Sequence, residues 1–256
     1  MSFDERVVLN GLSCVFPRGK ITAILGSSGS GKTTILRLIG GLVRPQRGTI
    51  IVAGHDLNGA SEHDLYAVRE KLGMMFQGGA LLNSLTIFDN LAFPLREHTR
   101  LSEAEIAAEV HRTLTAVGLS AVDELLPGQL SGGMIKRAAL ARALLMKPEI
   151  LLCDEPFSGL DPISVKRIEA LLHRINEQMQ VTILVSSHHI PSTMRLADQV
   201  LLLWNQRATT GTPQALRSSD DPIIAEFFNE EVFDLPEGAE SERREGSAHA
   251  PSVGAS

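Results

Sequence analysis

Residues 20–33 read Lys20-Ile21-Thr22-Ala23-Ile24-Leu25-Gly26-Ser27-Ser28-Gly29-Ser30-Gly31-Lys32-Thr33. The run to Leu25 predicts a short strand buried on both faces, and Thr33-Thr34-Ile35-Leu36-Arg37-Leu38-Ile39 after the glycines predicts a helix. Between them, Gly26–Thr33 is a complete G-x-x-x-x-G-K-[ST]. Glycines let successive backbone N–H groups curl round phosphate oxygens, and the start of the helix adds its dipole. Lys32 is placed to reach β- and γ-phosphates and Thr33 to hold Mg²⁺, with Gly26, Ser27, Ser28, Gly29, Ser30, Gly31 and Thr34 completing the cradle. The ligand that pattern calls for is a nucleoside triphosphate.

Working outward, further buried strands are predicted at Ile150-Leu151-Leu152-Cys153, Val181-Thr182-Ile183-Leu184-Val185 and Gln199-Val200-Leu201-Leu202-Leu203-Trp204. The first ends at Asp154-Glu155 and the second at Ser186-Ser187-His188. Polar residues at the carboxyl ends of apolar strands mark the edge where open α/β sheets bind ligands. Asp154 is expected in the Mg²⁺ shell and Glu155 as general base toward an attacking water.

The texture changes between Phe76 and Leu130. Ile106, Val110, Leu114 and Val117 fall at three- and four-residue steps, opened by Ser102 with Glu105 three later, the capping-box start of an amphipathic helix. A second helix start stands at Gln129-Leu130-Ser131-Gly132-Gly133-Met134, where Ser131 is an N-cap and the glycines leave N–H groups bare, a second anion site. From about Leu235 the chain turns to Glu, Ser, Gly, Ala and Pro without apolar period, and no fixed structure is expected there.

The 256 residues, 43% of them hydrophobic, suffice for one large α/β domain or two small ones. A net charge of -6, from 24 basic and 30 acidic residues, with no dense Lys/Arg stretch argues against nucleic acid or anionic lipid as the main partner. Two distant cysteines, Cys14 and Cys153, offer no disulfide framework or CxxC metal spacing and fit a reducing cytoplasm. No apolar stretch is long enough to span a bilayer, and the charged start Met1–Arg6 lacks a signal peptide's apolar core, so membrane association is expected only through a partner.

Gly26–Thr33, Leu130–Gly133 and Ile150–Glu155 occur in the order of Walker A, LSGG signature and Walker B in ATP-binding-cassette (ABC) ATPases, and the chain resembles that family over residues 3–228. Ser158-Gly159-Leu160-Asp161 is similar to its D-loop, Gln77 matches the Q-loop and His188 the switch histidine. The resemblance implies a P-loop NTPase ABC cassette: a RecA-like, mainly parallel sheet core (1–76 and 136–228) with a β-rich N-terminal part, an inserted α-helical subdomain (77–135), and a tail (229–256). It implies a homodimer sandwiching two ATP, with Ser131, Gly132 and Gly133 reaching the partner's γ-phosphate and Asp161 coupling the sites. It further assigns Gln77 to Mg²⁺ and the membrane subunit, His188 to γ-phosphate and water, and Phe3 to stacking on adenine.

A narrower resemblance, to the Mla-type ATPases of Gram-negative phospholipid transport, rests on Phe88–Thr99, Leu36–Gly41, Ser131–Met134, Ala138–Ala143, Asp154–Phe157 and Asp161–Ile163. It implies an inner-membrane transporter with a permease (MlaE-like), an MCE-domain protein (MlaD-like) and a STAS-domain regulator (MlaB-like), the ATPase lying at the cytoplasmic face. Ser-Gly-Leu-Asp at 158–161 is the general cassette form rather than the Mla Gly-Gln-Asp, and His189 stands where an acid usually follows the switch histidine. The chain starts at the aromatic position, so the family's first strand is expected upstream or absent. An importer ATPase for amino acids or metal chelates is the alternative within the family. Cassettes of translation or DNA repair carry two cassettes or coiled-coil insertions, which this chain lacks. A non-catalytic regulatory cassette would be expected to lose Lys32, Glu155 or His188, all of which are present.

Overall fold

The structure, a computed structural model, describes residues 1–3, 6–204 and 207–233, with side chains for residue 1, 8–204 and 207–228. In chain order the elements are β1 Ser2–Phe3, β2 Arg6–Val7, β3 Ile21–Gly26, α1 Lys32–Ile39, β4 Ile51–Val52, β5 His55–Asp56, α2 Glu62–Arg69, β6 Leu72–Met75, α3 Ile87–His98, α4 Glu103–Ala116, α5 Gly132–Leu144, β7 Ile150–Asp154, α6 Pro162–Met179, β8 Thr182–Ser187, α7 Ile190–Leu196, β9 Gln199–Trp204, β10 Arg207–Gly211, α8 Pro213–Arg217 and α9 Pro222–Phe233. Met1–Ala215 form one unit and the chain from Leu216 a second.

Six strands make one sheet in the order β10-β9-β3-β8-β7-β6, parallel throughout except for the antiparallel edge strand β10. Its central strands β3 and β8 are buried at every position, so alternate residues feed opposite faces. Ile21, Leu151, Cys153, Ile183 and Val185 join a core with α3, α4, α5 and α6, while Ile24, Leu152, Leu184, Leu201 and Leu203 join one with α1 and α2. Helices on both faces of a mainly parallel sheet confirm the expected α/β class. The β content of the N-terminal part, among the described residues outside that sheet, is limited to the two-residue ladders β1/β2 and β4/β5.

Residues 77–131 contain α3, α4 and a 3-10 turn at Pro127–Gln129, and no strand among the described residues. Thr86 caps α3, its Oγ1 accepting from the Asp89 N–H at 3.0 Å. Pro94 sits inside this helix and withholds the N–H owed to the Asn90 carbonyl, a cost of about 3 kcal/mol. Ile87, Leu91, Ala92 and Leu95 are buried on the inner face, and at roughly 1.5–3 kcal/mol for each large aliphatic side chain they outweigh it.

Asn90, 1% exposed, fixes the turn ahead of α3: its Oδ1 accepts from Leu82 N at 2.7 Å, and its Nδ2 donates to the carbonyls of Leu82, Leu85 and Thr86 at 2.9–3.1 Å. Asn90→Ala strands these groups away from water and is expected to lower unfolding free energy by about 2–4 kcal/mol. Urea denaturation at fixed protein concentration measures this, and a loss under about 0.5 kcal/mol, the range of ordinary surface substitutions, would count against the assignment.

In the second unit, Asp221 Oδ1 accepts from Ile223 N at 2.9 Å at the start of α9, and Phe227 meets Phe228 edge to face. This helix runs through Phe233, past residue 229 where the tail is expected to start. Residues 229–233 read Asn-Glu-Glu-Val-Phe. Residues 234–256 lie outside the described residues.

Candidate active site

At the carboxyl end of β3 the chain turns into α1 through Gly26–Gly31. Gly31 has φ +102°, and a Cβ there would stand 2.7 Å from Leu9 Cδ2; at Gly26 one would meet the Leu203 carbonyl at 2.5 Å. Neither position admits a side chain, which is the local reason for glycine at both. Whereas α2, α3, α4, α5 and α6 are capped by Ser61, Thr86, Ser102, Ser131 and Asp161, the N-terminus of α1 has no side-chain cap. Its first N–H groups therefore point into the loop, joined by Ser30 Oγ, which is buried without a hydrogen-bond partner among the described residues. Lys32, 8% exposed, donates from Nζ to the carbonyls of Gly26 at 2.6 Å and Ser27 at 3.1 Å. Bare N–H groups, an unspent hydroxyl and a buried ammonium form an anion-binding concavity of phosphate size.

Parallel pairing brings the other strand ends to this loop. Asp154 pairs in register with Ser186, whose Oγ donates to Asp154 Oδ1 at 2.5 Å, and the same oxygen accepts from Thr33 Oγ1 at 3.0 Å. One carboxylate beside one hydroxyl is a set of hard oxygen donors, fitting Mg²⁺ that takes its remaining ligands from phosphate and water. Among the described residues no cluster of three His, Cys, Asp or Glu could enclose a metal by itself.

Glu155, 7% exposed, adopts left-handed φ +48°, unusual for a residue with a Cβ and costing about 1–2 kcal/mol. Neighbours hold it on both sides. Its N–H donates to Ser186 O and Oγ at 3.1 Å, and its carbonyl accepts from Ser158 Oγ at 2.9 Å and Lys136 Nζ at 3.0 Å. The carboxylate consequently faces Lys32, Oε1 to Nζ 3.7 Å, and His188, Oε2 to Nδ1 2.9 Å. A buried carboxylate between a buried lysine and an exposed imidazole can hold a water and take its proton.

Lys32, Thr33, Asp154, Glu155 and His188 thus converge. Other expected residues do not join them within this chain. Ser131 is exposed and spends its Oγ on the Met134 N–H at 3.3 Å, beside exposed Gly132 and half-buried Gly133. Asp161 caps α6, accepting from the Ile163 and Ser164 N–H groups at 3.0 Å each, and the Ser164 hydroxyl on its second oxygen holds its carboxyl below the usual range. Gln77 is exposed, and no hydrogen bond among the described residues joins its side chain to Thr33 or Asp154. The side chain of Phe3 lies outside the described residues.

Sequence reasoning named Ser186 and Ser158 without a role in holding Glu155, and missed Lys136. Ser186 had a signal, being the first polar residue at the end of an apolar strand. Lys136 is 6% exposed in a helix of Ala and Leu, and only a lone Lys at an otherwise buried position hinted at it. Burial lowers its pKa from the ordinary lysine value, against the opposing pull of Glu155 and Asp154.

Comparison with known proteins fits this geometry. The family model described as ABC transporter matches residues 9–158, and the chain belongs to that family. It is 43% identical over 226 residues to the intermembrane phospholipid transport system ATP-binding protein MlaF of Escherichia coli K12, covering 88% of this chain and 84% of that protein. It is 44% identical over 228 residues to MlaF of Haemophilus influenzae, covering 89% and 86%. Among solved structures it is similar to a dimeric ATP-binding cassette in a post-hydrolysis state bound to ADP and phosphate, with TM-score 0.76, 29% identity, and 83% of this chain and 94% of that one covered. The chain is an ATPase of the ABC type, and the nucleotide its loop receives is ATP.

Proposed function

We propose that this chain is the ATP-hydrolysing subunit of a transporter moving phospholipid between the inner and outer membranes. The observation that carries the reading is 43% identity to MlaF over 88% of the chain, beside the hydrolytic constellation Lys32, Thr33, Asp154, Glu155 and His188. N–H groups at the start of α1, with Ser27, Ser28, Ser30 and Thr34, bind the phosphates, and Lys32 turns from the loop carbonyls to the β/γ oxygens. Thr33 and Asp154, with Gln77, hold Mg²⁺, which offsets phosphate charge when bound. Glu155 accepts the proton of the attacking water while His188 steadies that water and the γ-phosphate. Catalysis is then positioning and charge stabilisation.

Two copies pair head to tail, so that Ser131, Gly132 and Gly133 of each reach the other's γ-phosphate and Asp161 links the two sites. That pairing accounts for the exposure of Ser131, Gly132 and Asp161 in one chain. Phe3 stacks on adenine. Among the described residues no helix is long and apolar enough to cross a membrane, and the reading places the ATPase on the cytoplasmic face of the inner membrane, held by a permease. An MCE-domain protein and a STAS-domain regulator complete the complex.

Affinity purification of the tagged full chain from detergent-solubilised membranes, with mass spectrometry of its companions, tests this. A permease together with an MCE-domain protein is the expected result. An importer permease for amino acids or metal chelates overturns the substrate and leaves the ATPase chemistry standing, while recovery of no permease overturns the transport reading.

A further inference from the structure

Lys136 is a buried ammonium with no salt-bridge partner among the described residues, held by neutral oxygens alone: the carbonyl of Gln77, the carbonyl of Glu155 at 3.0 Å and the hydroxyl of Ser158 at 3.3 Å. Those contacts join three segments otherwise separate in the chain. Strands β6 and β7 pair in parallel as far as Met75↔Cys153, so Gln77 and Glu155 stand at equivalent positions, two residues beyond the last paired rung. Among the described residues no ladder pairing ties the strand ends beyond that rung. The Lys136 side chain replaces it, donating to both carbonyls from the first turns of α5, the helix that Ser131 caps.

The Glu155 carbonyl matters because its residue is in the left-handed region. A few degrees of rotation there would swing the carboxylate away from His188 and Lys32. Ser158 also holds this carbonyl, through Oγ and N–H, but Ser158 is only three residues on and moves with the same loop. Ser186 ties the Glu155 N–H to the end of β8, and Lys136 is the contact that refers the Glu155 carbonyl to the end of β6 and to α5.

We propose that Lys136 is a positioning residue for hydrolysis, clamping the backbone of Glu155 to that of Gln77 so that the carboxylate stays aimed at the water. The proposal rests on Glu155 acting as the base. It assigns Lys136 no contact with nucleotide, so its loss should fall on turnover and spare binding.

The test is steady-state ATP hydrolysis and equilibrium ATP binding of the full chain bearing Lys136→Met, beside Lys136→Arg and Glu155→Gln. Misplacement of a reacting group by about 1 Å costs on the order of 100-fold, and Lys136→Met is expected to lose about that in kcat with KM and ATP affinity within about twofold. Lys136→Arg, which keeps charge and several donors, should recover most of the loss. A Lys136→Met kcat within about threefold of the parent, or a loss shared equally by ATP affinity, overturns the proposal, such shared loss being the mark of a merely structural role. If Lys136→Met does not fold, the same split read on Lys136→Gln decides, an unchanged kcat again overturning it. Glu155→Gln separates the two readings. If it hydrolyses normally, the base assignment falls and the clamp with it; if it is inactive while Lys136→Met is active, only the clamp falls.

Discussion

Replacing Glu155 by Gln is expected to lower ATP turnover by about 10²–10⁴-fold, the usual contribution of a positioned general base. The substitution is nearly isosteric and leaves the backbone bonds of residue 155 to Ser186, Ser158 and Lys136 in place, so the left-handed turn is kept. Removed is the ability of a 7% exposed carboxylate, 2.9 Å from His188 Nδ1, to take a proton. ATP affinity should hold or rise, since the substitution deletes a negative charge from a site that receives polyanionic phosphate. Single-turnover hydrolysis of labelled ATP alongside equilibrium binding distinguishes the two effects. Turnover within about tenfold of the parent, below the usual contribution of a general base, would sink the assignment.

The second large effect is expected on binding. Lys32→Met keeps the length of a buried side chain and takes away its charge, so the phosphates lose their one cation inside the loop while the Gly26 and Ser27 carbonyls remain. Truncating one member of a buried, hydrogen-bonded charge pair costs about 2–5 kcal/mol, which is roughly 30- to several-thousand-fold in ATP affinity. Titration of a fluorescent ATP analogue measures this. Affinity within threefold of the parent would mean that the uncapped start of α1 does the work and that Lys32 serves the loop's own carbonyls.

The centre of the sheet was legible because its strands are continuous apolar runs that end in chemistry. The box at Ser102 and Glu105 was equally plain and forms as read, Ser102 N–H to Glu105 Oε2 at 2.8 Å. Strand β6 went unread for a physical reason. Its Gly73 lowers strand propensity, yet a Cβ there would collide with the Ala143 carbonyl of α5, so tertiary packing imposes the residue that obscures the strand. Strand β8 starts one residue later and ends two later than its apolar composition suggested, because Ser186 pairs with Asp154 and Ser187 with Leu25. The site followed the same division. Glycine spacing and strand-end acids announced the phosphate loop and its carboxylates, being local. Lys136 serves through a fold-dependent approach to Gln77, 59 residues away, which no spacing in a single chain encodes.

The in-register pairing of Asp154 with Ser186 has a consequence for how this chain can vary. In a strand, neighbours point to opposite faces, so a shift of one residue exchanges them. Deleting any single residue from Ile150–Cys153 would carry Glu155 into the place of Asp154 and send residues of β7 to the wrong one of its two cores, whereas most aliphatic exchanges there would leave the sheet intact. Length, more than composition, is therefore the conserved quantity to look for in this segment. A homologue with altered spelling between residues 150 and 153 remains a candidate ATPase, and one with a gap there does not.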